Sequence, residues 1–180
     1  AEVFQDINAD GVRQAFEPRA FTDDMGYYSY NPTTTPATNY CAETTAADLR
    51  EKHCLMAMQG NYPIVIQGGY DLLTGEPFKG ILRKNVNVQP NRQITSLDIV
   101  SPVTTVLSYA NSEAEQTTIK NLLGVDDPDL VPSFFNHEDA VLNQTADNAS
   151  DLRMLNVTQK LQKLVSVSTQ MADRIYSVKD

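Results

Sequence analysis

Residues 6–17 place Asp6, Asn8 and Asp10 at alternate positions, followed by Gly11, Val12 and finally Glu17. A hard cation selects such a ladder. Side-chain oxygens come at positions one, three and five, a glycine turn at six, a backbone carbonyl at seven and a two-oxygen glutamate at twelve. Calcium takes roughly six to eight oxygens, so Asp6, Asn8, Asp10, the Val12 carbonyl and Glu17 supply most of a coordination sphere. Asp23, a short way along the chain, is the expected additional ligand. The ordinary alternative is an Asp/Asn/Gly surface turn, which leaves Glu17 at position twelve as a coincidence.

The flanking residues decide what kind of calcium loop this is. Five residues precede Asp6, too few for a stable helix, and Pro18 disfavours helical backbone at Glu17. A helix–loop–helix sensor is therefore not expected. Arg19–Thr22 and Tyr27–Tyr30 are β-prone runs around a Gly-containing turn and predict a hairpin. The ion is then a clip on a loop between strands, not a device that opens a groove between helices.

The run Val3-Phe4-Gln5-Asp6-Ile7-Asn8-Ala9-Asp10-Gly11, then Glu17-Pro18, then Thr22-Asp23-Asp24-Met25-Gly26-Tyr27-Tyr28 resembles the B-type repeat of Gram-positive surface adhesins. It is also similar to modules of large calcium-dependent bacterial surface proteins. The resemblance covers residues 3–30 well. It is less specific at Ile64–Asp71, Thr74–Phe78 and Ser101–Val106. It implies a prealbumin-like or Ig-like β-sandwich that binds calcium and serves as a stalk or adhesive unit. Residues 101–180 depart from those β-only repeats, being helix-prone.

A chain of 180 residues with 41% apolar and 21% charged side chains can build one core or two small ones. Its formal net charge of −9 argues against nucleic acid, whose phosphates need a basic surface, and against anionic membranes. No apolar run approaches the roughly 18 residues of a membrane span. The opening at Ala1-Glu2, without an initiator Met, reads as a processed or excised form. Cys41 and Cys54 stand 13 positions apart, with no C-x-x-C pair, and a disulfide is the natural reading for an exported protein. Asn-x-Ser/Thr triplets begin at Asn143, Asn148 and Asn156; chance in an Asn/Thr-rich chain accounts for them better than glycosylation, which stays open.

The periodicity predicts a helix over 46–58 capped by Thr45, and strands at Tyr62–Gln67, Phe78–Leu82, Asn85–Val88 and Ile94–Val100. After Ser101-Pro102 the period becomes helical. Ser101 and Ser112 read as N-caps, Gly124 as a helix stop, and Ile119, Leu122 and Leu123 as the apolar side. A last helix is expected from Asp151, with its buried stripe running from Val157 through Leu161 and Leu164 to Ile175.

The expected fold class is α+β: a calcium-clipped β-sandwich over residues 1–100 with one inserted helix, and a helical subdomain over 101–180 packed on it. No nucleophile elbow, phosphate-cradling loop or H-E-x-x-H occurs, and a non-enzymatic extracellular module is expected. Its partners are calcium and, as open options, like subunits, neighbouring surface domains or glycans. Two alternatives stay open. One is a filament subunit that donates Glu2–Gln5 to a neighbour's sheet. The other is a secreted polysaccharide-acting enzyme or its accessory domain.

Overall fold

The apolar runs Val3-Phe4 and Ile64-Val65-Ile66 become the central strands of an antiparallel sheet. Strand geometry sends alternate side chains to opposite faces, and Val3 and Ile64 on one face, Phe4 and Val65 on the other, are all fully buried. The computed structural model describes residues 1–70, 75–125 and, in a further helical stretch, 156, 157, 159–161, 163 and 164. Along the described chain run β1 (Glu2–Gln5), β2 (Arg19–Phe21), β3 (Tyr30–Asn31), β4 (Thr38–Asn39), α1 (Ala47–His53), β5 (Gly60–Gln67), β6 (Ile81–Val88), α2 (Pro102–Ser108) and α3 (Glu113–Leu123). The class is α+β with antiparallel sheets. The chain divides into two compact units, Ala1–Val100 and Ser101–Asp180.

In the first unit the four-stranded sheet has the order β2-β1-β5-β6. Val3 pairs with Ala20 on one side and Ile66 on the other, and Phe4 with Arg19 and Val65. Both edges of β1 are thus used within the chain, which leaves no free edge there for donation to a neighbour's sheet. β3 and β4 form a separate two-stranded ladder. The core gathers Val3, Ala20, Tyr28, Leu55, Ile64, Val86, Val88 and Ile94.

Several local readings are corrected by tertiary partners. β2 pairs with β1 and not with Tyr27–Tyr30; the 23–26 turn closes locally, Asp23 N–H donating to Tyr27 O at 2.8 Å. The two strands expected over 78–88 are one, Ile81–Val88, because β5 is long enough to pair with all of it. Ile94–Val100 is not a strand. Ile94 is buried there, while a turn closes through the Asp98 carboxylate, which accepts from Thr95 N–H. Helix α1 stops at His53, since Cys54 turns to extended backbone and bonds to Cys41. Its N-cap is Ala46, without a side-chain bond; the Thr45 hydroxyl donates instead to Asn39 O at 2.7 Å.

The second unit follows its local signals. Ser101 caps α2, its hydroxyl accepting from Thr104 N–H while Thr104 Oγ1 accepts from Ser101 N–H. Ser112 caps α3, and Gly124 ends it with a φ of 67°, a left-handed conformation that costs glycine little. Val103, Leu107 and Val125 form its core, with Ile119, Leu123, Val157 and Leu161 against it. Leu122, expected on that apolar side, is 81% exposed, and Leu164 of the last stripe is 64% exposed. The remainder of the 151–175 helix, Asn143, Asn148, Met154, and the acidic run 126–129 lie outside the described residues.

Among the described residues no helix is long and apolar enough to cross a membrane.

Candidate metal centre

The loop between β1 and β2 is organised by its own acidic side chains. Asp6 is fully buried; its Oδ1 accepts from Asp10 N–H at 3.1 Å and its Oδ2 from Gly11 N–H at 2.9 Å. Asn8 Oδ1 also faces Asp10 N–H, at 3.3 Å, and Asp10 Oδ1 accepts from Val12 N–H at 2.7 Å. Glu17 is 3% exposed and ties the loop's two ends together. Its Oε1 accepts from Ile7 N–H and its Oε2 from Gln14 N–H, both at 2.8 Å. Gly11 has a φ of 76° and Ala9 a φ of 59°. The left-handed region costs an alanine about 1–2 kcal/mol, and such strain persists only where the surroundings enforce it.

The sheet holds this loop rigidly. Asp6 N–H donates to Pro63 O at 2.9 Å, and Gln5 N–H to Pro18 O at 3.0 Å. The Gln5 side chain, fully buried, clamps the backbone of Met58: Nε2 donates to Met58 O at 2.8 Å, and Met58 N–H donates to Oε1 at 2.6 Å. A single amide thus reproduces one rung of strand pairing and seats the residue before Asp6.

Charge is left uncompensated inside the loop. Its one basic residue, Arg13, has its Nε 3.7 Å from Glu2 Oε1, which Arg19 also approaches at 3.5 Å. No ion pair among the described residues involves Asp6, Asp10 or Glu17. The Asp10 carboxyl is held below its ordinary value, first by the Val12 N–H bond, against a smaller opposing effect of desolvation, with the Asn8 and Gln14 amides adding to the depression.

Gln14 is the residue that sequence reading missed. It continues the alternate-position ladder of Asp6, Asn8, Asp10 and Val12, at the ninth loop position, where calcium loops offer a ligand directly or through water. Its Nε2 donates to Asp10 Oδ2 at 2.8 Å, while its buried Oε1 has no hydrogen-bond partner among the described residues. The Asn8 amide nitrogen likewise donates to Asp10 Oδ2, at 2.9 Å.

The donor set fits a hard, oxygen-seeking cation: three carboxylates plus neutral oxygens from Asn8, Gln14 and the Val12 carbonyl. The arrangement is not convergent. Among the described residues, no group of three His, Cys, Asp or Glu side chains is placed to hold a metal ion. Amide nitrogens of Asn8 and Gln14 fill the space beside Asp10, and rotating both amides by half a turn presents oxygens there instead. The Val12 side chain points to solvent.

Asp23 belongs to a different network. Its Oδ1 accepts from Met25 and Tyr27 N–H, each at 2.9 Å, and its Oδ2 from Asn31 Nδ2 at 2.8 Å and the Tyr40 hydroxyl at 2.7 Å. Four donors saturate the carboxylate, so it fixes the 23–40 segment. Burial pushes its pKa up, but the bonds from Tyr40, Tyr27, Asn31 and Met25 outweigh it and hold the group below its ordinary 3.8. A depressed folded pKa contributes stability that is fully present above the unfolded value and is lost as pH falls through the folded one. The stability difference between wild type and Asp23→Asn is therefore expected to be constant near neutrality and to shrink below pH 3.8. Urea unfolding at stepped pH measures it.

Cys41 and Cys54 are bonded as expected. Around the bridge, His53 Nδ1 lies 2.8 Å from Phe21 O, and its ring packs against Tyr40 with centroids 4.9 Å apart and planes tilted by 36°. Leu55 N–H donates to Ser29 Oγ at 3.0 Å.

No family model, curated protein or solved structure matches this chain. The functional reading therefore rests on the loop's own geometry.

Proposed function

We propose that the Asp6–Glu17 loop binds calcium, and that the chain is a structural or adhesive module of an extracellular bacterial surface protein, built as a prealbumin-like or Ig-like sandwich with a helical extension. One observation carries the calcium assignment. Asp6 and Glu17 are buried carboxylates that no basic side chain neutralises among the described residues. Burying a carboxylate costs several kcal/mol unless charge or hydrogen bonds compensate. Backbone N–H groups do part of this here, and a divalent ion completes it. In this reading Asp6, Asn8, Asp10, Gln14, the Val12 carbonyl and Glu17 hold the ion. The ion locks the β1–β2 connection against the end of β5. Its role is mechanical, a joint stiffened by calcium, and not catalytic. Three carboxylates among otherwise neutral ligands suit the weak end of calcium affinities, at dissociation constants of about 0.1–1 mM, where extracellular modules operate.

Arg13 gives a direct test, because it places a trypsin site inside the loop. With calcium present, cleavage after Arg13 is expected to be slow. With a chelator it becomes the leading early cut. Equal cleavage in both conditions contradicts the assignment.

A further inference from the structure

Met56 is 74% exposed, more than Met25 at 53% or Met58 at 50%. Its Sδ lies 3.5 Å from Cys54 Sγ, one half of the Cys41–Cys54 bridge. Both residues line a surface groove of about 720 Å³ whose walls also carry Cys41, Arg19, Arg50, Glu43 and Glu51. Cys54 itself is only 4% exposed and Cys41 is half-buried, both less open than Met56. The thioether is therefore the sulfur that a solute in the groove meets first, and it lies against the disulfide sulfur behind it.

We propose that Met56 is a site of oxidation by peroxide-class oxidants, reacting ahead of Met25 and Met58, and that its sulfoxide uncovers the disulfide to thiols. The step is a two-electron oxygen transfer. The Sδ lone pair attacks one oxygen of hydrogen peroxide, the S–O bond forms as the O–O bond breaks, and the transferred oxygen's proton passes to the departing hydroxide to give water. Sulfur is oxidised to the sulfoxide and peroxide is reduced. Arg19 is engaged with Glu2 and the Phe21 ring, so Arg50, which lines the groove, is the donor that stabilises the departing oxygen, as hydrogen bonds to a developing anion do. The sulfoxide is polar where the thioether was apolar. It turns toward water and Arg50, and away from Cys54 Sγ.

Hydrogen peroxide titration of the intact, disulfide-bonded chain, followed by peptide mass mapping, tests the first half. Exposure alone predicts rates for the three methionines within a factor of about 1.5, so a Met56 sulfoxide forming at least about 3-fold faster than those of Met25 and Met58 is the expected result. Reduction of the disulfide by a small thiol tests the second half. The oxidised protein is expected to react about 3-fold faster than the unoxidised one, and peroxide-treated Met56→Leu to react like unoxidised wild type. Parity among the methionines overturns the proposal. So does equal thiol reactivity before and after oxidation, or an acceleration that persists in Met56→Leu.

Discussion

Replacing Asp6 with alanine is expected to lower stability by about 1–3 kcal/mol in chelator, and by roughly 2.7 kcal/mol more when calcium is at 100 times its dissociation constant. Two opposing effects set the first figure. The backbone N–H groups of Asp10 and Gly11 lose their acceptor, and an unsatisfied buried donor costs about 1–3 kcal/mol. Removing a buried charge returns part of that, which keeps the total below the simple sum of two donors. The second figure is the linkage term for a ligand that binds only the folded chain. Asp6→Asn keeps one acceptor oxygen, so its chelator-state loss is expected to be about half that of alanine. Urea unfolding with and without calcium separates the two effects, provided the slope m is unchanged. An Asp6→Ala protein that calcium stabilises as much as wild type places the ion elsewhere.

The Cys41→Ala, Cys54→Ala double variant is expected to lose about 3 kcal/mol, the loop-closure entropy that a bridge of this span removes from the unfolded chain. The folded segment has other anchors. His53 is held by Phe21 O, Leu55 by Ser29 Oγ, and Met58 by the Gln5 amide. The variant should therefore keep its native circular dichroism spectrum and unfold at a lower urea midpoint. The calcium-dependent part of stability should survive in it, because none of these anchors depends on the bridge. A variant that is unfolded at room temperature means instead that the bridge holds the 41–54 segment in place. A loss below about 1 kcal/mol means the unfolded chain is already compact there.

The sequence revealed most where a local rule assigns residue types to fixed spacings. The Ser101 and Ser112 caps and the Gly124 stop are of this kind, since an orphan N–H or a left-handed φ demands particular atoms nearby in the chain; the proposed calcium loop Asp6–Glu17 is read by the same kind of rule. Long-range partners were hidden. Nothing local says that Arg19–Phe21 pairs backward with β1, or that Gln5 clamps Met58 across 53 positions. Ile94–Val100 has strand composition, but a buried side chain needs only a core to fill, and Ile94 fills it without a ladder. Gln14 was legible in principle. It stands on the same alternating ladder as Asp6, Asn8 and Asp10, but a neutral amide is a weaker signal than a carboxylate. Asp23 shows the converse: a carboxylate near a candidate site, drawn off by four closer donors.

Calorimetric calcium titration of the intact chain, with a matched thermal melt, decides whether the β1–β2 loop is a calcium clip. One ion is expected to bind per chain and to raise the melting temperature by about 5–10 °C when calcium is at 100 times its dissociation constant, with both signals lost in Asp6→Ala. No binding heat at millimolar calcium, together with a melting temperature unchanged within a degree on chelation, would contradict it.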